Sequence, residues 1–300
     1  MLSHTQIEQY KEDGAVVVPG LLDAITLKRM QAVLADWVEG SRAVTAHTDL
    51  YDLEPGHSAH DPRVRRIKKP HVANPVFFDF AKSLALRECL QALIGPAARL
   101  YGSKLNLKAP GFGSPVEWHQ DWAFYPHTND DILAVGVMLD DTTVENGAMY
   151  VLPGSHKGPT YNHHDGEGYF CGAIDPDTSG VDFSKGVACE GPAGSCSFHH
   201  VRAIHGSAQN TSSRPRGLLL YEVAAADAFP LMGIGAYGNY GEFQERLLYG
   251  TDTLVPRFRE TPVRMPLPPA KNQGSIYENQ TAGKRFFGFA ETRANAGATP

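Results

Sequence analysis

The sequence predicts a mainly β protein with flanking helices, its strands arranged as a sandwich or jelly roll. Three observations lead there. Between residues 98 and 225, short apolar segments alternate with turns: Leu100-Tyr101, Val116 to Tyr125, Leu133 to Leu139, Ala148 to Leu152, Gly194 to Phe198 and Gly217 to Val223. No helical pattern separates these segments. The ninety-odd residues before them do read as helical, and would pack against one outer face of the strands.

The elements follow in chain order. Ile7, Tyr10 and Lys11 follow a capping region at Ser3/Thr5, which marks a first helix. Ala15-Val16-Val17-Val18-Pro19 is a short β-branched strand. Leu27, Met30, Leu34 and Trp37 recur at helical spacing, and a third helix is expected from about Val76 to Leu93, with Phe77, Phe80, Ala81, Leu84, Leu90 and Leu93 on its apolar side. Asn146-Gly147 is the strongest hairpin signal in the chain, so the strands on either side of it are expected to pair antiparallel. No repeat and no concentrated linker marks a boundary. The expectation is one domain over 1–300: a mainly helical elaboration (1–97), a β core (98–225) and a C-terminal extension or lid (226–300).

Composition narrows the function. The 300 residues are 42% hydrophobic and 20% charged, as in an ordinary globular chain, which excludes a largely disordered protein, a collagen and a coiled coil. No apolar run is long enough for a membrane span, and the start lacks the pattern of a signal peptide, so a cytoplasmic protein is expected. The 27 basic residues against 33 acidic ones give a net charge of −6, which disfavours nucleic acid as a partner. The one dense basic run, Arg63 to Lys69, has no evident link to a pocket. Cys89, Cys171, Cys189 and Cys196 form no CxxC pair and read as buried free thiols in a reducing compartment.

The chemistry concentrates in one triplet. On a strand, His-x-Asp projects an imidazole and a carboxylate from the same face, because side chains alternate with period two. About one such triplet is expected by chance in a chain of this composition. There are three. His47-Thr48-Asp49 leads into a loop, and His163-His164-Asp165 lies in a polar stretch that reads as a solvated loop. His119-Gln120-Asp121 has strand-like neighbours in Val116, Trp118, Trp122, Phe124 and Tyr125. A facial metal site needs one further His, and His205, in Ala203-Ile204-His205-Gly206-Ser207, is the best donor, with Gly206 and Ser207 leaving room for a ligand. Arg216 opens the apolar strand Gly217 to Tyr221, where a guanidinium can hold a carboxylate bidentately.

His119-Gln120-Asp121, Glu145-Asn146-Gly147, Leu152-Pro153-Gly154-Ser155-His156, His205-Gly206-Ser207 and Arg214-Pro215-Arg216 together resemble, in order and spacing, the phytanoyl-CoA dioxygenase family of iron(II)/2-oxoglutarate oxygenases. The resemblance covers roughly residues 5 to 225. It implies a cupin-like double-stranded β-helix core, iron(II) held by His119, Asp121 and His205, and 2-oxoglutarate held by Arg216 with help from Ser207 and Lys108. It also implies O2 as the second co-substrate, release of succinate and CO2, and oxidation of a C–H bond. Halogenating relatives have a small residue where Asp121 stands, so oxygenation is implied here.

Two readings from other classes use the same residues. A cupin-like zinc hydrolase or isomerase would use the triad without Arg216, and a metal-free binding protein would use the barrel alone. A zinc cluster of His199, His200 and His205 is disfavoured because adjacent strand residues face opposite sides. His199 is then the inward one, and with Trp122, Phe124 and Tyr125 it forms the expected substrate pocket. The expected substrate is a small molecule or secondary metabolite, since a coenzyme A thioester would call for a basic groove.

Overall fold

The computed structural model describes residues 2–287. In chain order the elements are α1 (His4–Asp13), β1 (Ala15–Val18), α2 (Ala24–Gly40), β2 (Tyr51–Leu53), β3 (Val64–Lys68), α3 (Pro70–Ala73), α4 (Pro75–Ala81), α5 (Leu84–Ile94), β4 (Ala98–Lys108), β5 (Val116–His119), β6 (Ile132–Met138), β7 (Met149–Val151), β8 (Val187–Cys189), β9 (Cys196–His200), β10 (His205–Ser207), β11 (Arg216–Ala225), α6 (Tyr240–Glu245), β12 (Leu247–Tyr249) and α7 (Ile276–Asn279). The mainly β prediction therefore holds, and every strand pair is antiparallel. The larger sheet runs β1-β9-β6-β11-β4-β3-β2, with β12 added to β4, and the smaller runs β5-β10-β7-β8.

Period-two alternation sorts the larger sheet into two faces. Leu105, Val135, Val137, Phe198, Leu219, Tyr221 and Val223 meet Met30, Phe77, Leu86 and Leu90 of the N-terminal helices in the main core. The opposite face turns Ala134, Met138, Leu218 and Leu220 toward the smaller sheet. Burying a Leu, Val or Phe fully is worth about 1.5–3 kcal/mol, so this partition pins the register of every central strand.

Several local expectations are corrected. The third helix is not continuous: α4 stops before Lys82, and Ser83 caps α5 by accepting a hydrogen bond from the Leu86 N–H at 3.3 Å, which lets both short helices reach the core. The N-terminal region also supplies two strands, and the basic run from Arg63 is largely β3, paired to β4.

Asn146-Gly147 does not close a hairpin. A two-residue type I′ turn needs positive φ at both positions, and only Gly147, at φ +85°, has it. The turn instead carries the chain from β6 in one sheet to β7 in the other. Asn146 is buried there as a clamp, accepting from the Thr143 N–H at 2.8 Å and donating to the Asp141 carbonyl at 2.7 Å.

All four cysteines are free and buried. Among the described residues no helix is long and apolar enough to cross a membrane.

Candidate active site

The strand β5 ends at His119, and Asp121 begins a single 3-10 turn, Asp121–Ala123. The triplet is thus only half on a strand, which corrects the alternation argument: the turn, not the pleat, brings the carboxylate beside the imidazole. Strand β10 is paired with His205 opposite His119, and their ring centroids lie 4.1 Å apart. The Nδ1 of His119 faces the Glu117 carbonyl at 2.7 Å and that of His205 faces the Ala203 carbonyl at 3.0 Å. A carbonyl can only accept, so each ring is held with Nδ1 protonated and the Nε2 lone pair free. Both free nitrogens point at Asp121 Oδ1, at 3.7 Å and 3.9 Å. The three groups are buried, and their ligand atoms lie within 4.8 Å of one another.

Charge suits a cation here. Burial alone would raise the Asp121 carboxyl, but Lys104 and the neighbouring histidines outweigh it and hold it well below its usual range. The site therefore presents one carboxylate and two neutral imidazoles, a donor set suited to a divalent first-row transition metal.

Gln120, between the two, faces the other way and is fully buried. Its amide donates to the Pro159 and Arg202 carbonyls at 3.1 Å and 2.9 Å and accepts from the Tyr161 N–H at 2.9 Å. His163, expected in a solvated loop, is buried as well: its Nδ1 donates to the Tyr161 carbonyl at 2.9 Å, and its Nε2 accepts from the Gln120 N–H at 2.9 Å. Its own backbone carbonyl accepts from the Cys171 N–H, tying the loop down. His163 thus fixes the backbone between His119 and Asp121 without facing the cavity. Changes to groups that orient ligands cost about 10- to 100-fold in metal affinity. His163→Phe, which keeps a ring but loses the acceptor, is expected to weaken iron(II) binding by that factor in a competition titration, and unchanged affinity would refute the positioning role.

Burial also lowers the imidazole pKa to about 4 for His119 and His127, to about 3 for His163, and well below the ordinary 6.5 for His205. The unfolded chain therefore takes up protons that the folded chain refuses, so stability is present above pH 6.5 and is lost as the pH falls toward about 4. Each such group contributes about 1.4 kcal/mol per pH unit within its window. The metal-free protein is expected to melt at a clearly lower temperature at pH 5 than at pH 7, measured by circular dichroism. An unchanged Tm would contradict it.

The cavity at this centre, about 50 Å³, lies between the two sheets, and Arg216, Lys108, Ser207 and His199 all line it. Arg216 is 2% exposed; its guanidinium donates to the Gly147 carbonyl, while its Nε has no partner and no carboxylate forms an ion pair with it among the described residues. Burial pulls its pKa down to about 10, partly offset by Tyr277 and Asp140. Lys108 lies opposite Arg216 in the β4–β11 register and donates to the Ser114 carbonyl at 2.8 Å and to the Ala208 carbonyl, with its own pKa pushed far down by burial and then by Arg216. Arg214, two residues earlier, is exposed.

The aromatic residues of the expected pocket divide. Trp122 and Tyr125 join Ile132, Val201 and Ala225 in a separate apolar cluster, and the Trp122 indole donates to the Pro262 carbonyl at 2.8 Å. Phe124 stands edge-on to His119, with ring centroids 5.7 Å apart, and the Tyr125 phenol lies beside Asp121, its pKa pushed up by burial and then by that carboxylate. His200 packs on the opposite side of β9, near His156 and Tyr10, so the three-histidine cluster does not form. At Gly206, which lines the cavity, the space a side chain would need is taken by Phe287 and the backbone of β5, so sheet packing also calls for glycine here.

Residues unread in the sequence complete the wall. Lys104 and Asn106 alternate with Leu105 and Leu107 on β4, and this polar–apolar alternation in Ser103-Lys104-Leu105-Asn106-Leu107-Lys108 is the signal that would have found them. Tyr277, from α7, closes the Arg216 end and also borders an outer basin of about 570 Å³. In that basin His47, Asp52 and Glu278 come together, but Arg65 bridges the two carboxylates at 2.9 Å and 3.0 Å, which makes the group a charge network.

Comparison with known proteins agrees with this geometry. The chain is 37% identical over 280 residues to a probable alpha-ketoglutarate-dependent hypophosphite dioxygenase from Stutzerimonas stutzeri, covering 92% of this chain and 96% of that one. It is 28% identical over 234 residues to an ectoine dioxygenase from Bordetella parapertussis, covering 72% and 73%. The crystal structure of EctD from S. alaskensis with bound Fe shares the fold, with a TM-score of 0.66 at 21% identity over 87% of this chain and 88% of that one. The family model of phytanoyl-CoA dioxygenase (PhyH) matches residues 10–218, and the chain belongs to that family.

Proposed function

We propose that the protein is an iron(II)- and 2-oxoglutarate-dependent dioxygenase that oxidises a small molecule and releases succinate and CO2. The observation that carries this is the buried Arg216, with no carboxylate in a direct ion pair with it among the described residues, in the same cavity as the convergent atoms of His119, Asp121 and His205. A buried guanidinium without an anion is costly, and a carboxylate from a co-substrate removes that cost. A zinc hydrolase would leave Arg216 without a role.

On this reading His119, Asp121 and His205 hold the iron, and the two sheets are the halves of a double-stranded β-helix. Iron supplies the activation of O2 once 2-oxoglutarate is bound. The protein does the rest. Arg216 takes the distal carboxylate of 2-oxoglutarate, with the Ser207 hydroxyl and Lys108 beside it. The carbonyls of Glu117 and Ala203 hold the two ligand imidazoles in the metal-binding tautomer. The chain then works as one domain, with 1–97 supporting the outer face, 98–225 carrying the site and the described part of the extension, 226–287, closing it; the rest of 226–300 lies outside the described residues. Closure is supported by Gln280, whose amide accepts from the Glu117 N–H at 2.9 Å, and by Glu117, whose carboxylate accepts from the N–H groups of Phe286 and Phe287 at 2.7 Å and 3.1 Å. The four buried thiols support a reducing, cytoplasmic setting.

The decisive experiment adds iron(II) and 2-oxoglutarate anaerobically and looks for a charge-transfer band in the visible. Oxygen uptake and succinate are then measured with candidate substrates, hypophosphite first, after the S. stutzeri relative. No band and no 2-oxoglutarate-dependent uptake would refute the assignment.

A further inference from the structure

We propose that Lys104 and His199 form the substrate subsite, and that it takes a small oxyanion carrying a hydrogen on its central atom. This rests on the oxygenase reading above. In the β4–β11 register Arg216 lies opposite Lys108, Leu218 opposite Asn106 and Leu220 opposite Lys104. Alternate residues share a face, so Lys108, Asn106 and Lys104 form a polar ladder along the cavity, about 13 Å from end to end at 3.3 Å per residue. The Arg216 end is committed to the co-substrate. Lys104 is therefore at the other end, lining the cavity with His119, Asp121 and His199.

That end has donors without acceptors. The Lys104 ammonium carries three N–H groups, and the structure gives it one hydrogen bond, to Glu222 at 2.9 Å. His199 is 1% exposed, and neither of its ring nitrogens has a hydrogen-bond partner; its Nε2 stands 3.8 Å from Asp121 Oδ2. A neutral imidazole carries one N–H, and buried donors are almost always satisfied, so this N–H and the spare N–H groups of Lys104 suit a ligand rich in acceptors. The wall beside them includes Ala134 and Leu220, and Trp122 packs in another cluster. Among these groups an oxyanion finds a cation and a donor.

The chemistry balances for such an anion. One atom of O2 enters the bond between hydrogen and the central atom, giving a hydroxyl. The other atom enters succinate. The four electrons that reduce O2 come in pairs from that bond to hydrogen and from the carbon–carbon bond broken as CO2 leaves.

The test uses the iron-loaded enzyme with saturating 2-oxoglutarate and measures succinate with hypophosphite, phosphite and formate against the zwitterion L-proline. At least one oxyanion is expected to stimulate succinate formation in preference to proline. Losing a hydrogen bond to a charged group costs about 10-fold or more in affinity, so Lys104→Met is expected to raise the KM for that oxyanion by at least this factor while leaving the KM for 2-oxoglutarate unchanged. Lys104→Arg should recover part of the loss, and Glu222→Gln, which releases the ammonium from its carboxylate, should lower the oxyanion KM. An enzyme stimulated by proline or by none of the panel, or an unchanged oxyanion KM in both Lys104→Met and Glu222→Gln, overturns the subsite. A wild-type protein without the charge-transfer band sinks the oxygenase reading instead, so the two failures are distinct.

Discussion

His119→Ala is expected to lose its iron and all substrate-dependent succinate formation. The imidazole is one of three side chains among the described residues whose ligand atoms converge on the centre, and its lone pair is pre-aimed by the bond from Nδ1 to the Glu117 carbonyl. Disturbing groups that merely orient a ligand costs about 10- to 100-fold in metal affinity, so deleting the ligand itself should exceed that range. The measurement is iron content after gel filtration, together with succinate under aerobic turnover. Asp121→Ala and His205→Ala should behave alike. A purified His119→Ala protein with stoichiometric iron and normal succinate would show that the ligand set is wrong. His199→Ala is the comparison: its ring is 4.5 Å from that of His205 but stands outside the three-ligand group, so iron should be retained.

Arg216→Ala should raise the 2-oxoglutarate requirement by at least about 30-fold while iron binding stays intact. Leaving a carboxylate unpaired in a desolvated pocket costs on the order of 2 to 5 kcal/mol, or about 30- to several-thousand-fold in affinity. Lysine should not rescue it, because an ammonium lacks the planar fork and is more strongly hydrated. Arg214 provides the internal control. It is exposed, whereas Arg216 is 2% exposed inside the cavity, so Arg214→Ala should leave the 2-oxoglutarate dependence near wild type. The two measurements are the KM for 2-oxoglutarate in succinate formation and the amplitude of the anaerobic charge-transfer band. If neither substitution changes the 2-oxoglutarate dependence, the oxygenase assignment loses its main support.

Much of this was legible in the sequence, and what was legible is local. Ser3 and Gln6 form the expected capping box of α1, since cap and recipient are three residues apart. The central strands were readable because both of their faces are buried, which writes near-continuous apolar runs into Leu133 to Met138 and Gly217 to Val223. His119, Asp121, His205 and Arg216 stood out through linked motifs, and the fold brings all four to one cavity.

Where the sequence misled, the deciding partner was far along the chain. Asn146-Gly147 has the composition of a hairpin, but β6 pairs with β9 and β11 while β7 pairs with β8 and β10, so the turn crosses between sheets. His163 sits among polar residues and was read as solvated, yet its acceptor nitrogen is spent on the backbone of Gln120, 43 residues away. Arg63 to Lys69 looked detached from any pocket until strand pairing placed Arg66 opposite Asn106 and Lys68 opposite Lys104. Tyr277 reaches the Arg216 end from a C-terminal segment with no strand signal of its own. The sequence by itself determined which residues can bind a metal, accept a carboxylate or alternate along a strand, because those properties belong to side chains and their near neighbours. Only the tertiary structure decided which of them share a cavity and which polar atoms are left without partners there, because desolvation and hydrogen-bond satisfaction are set by segments that meet only on folding.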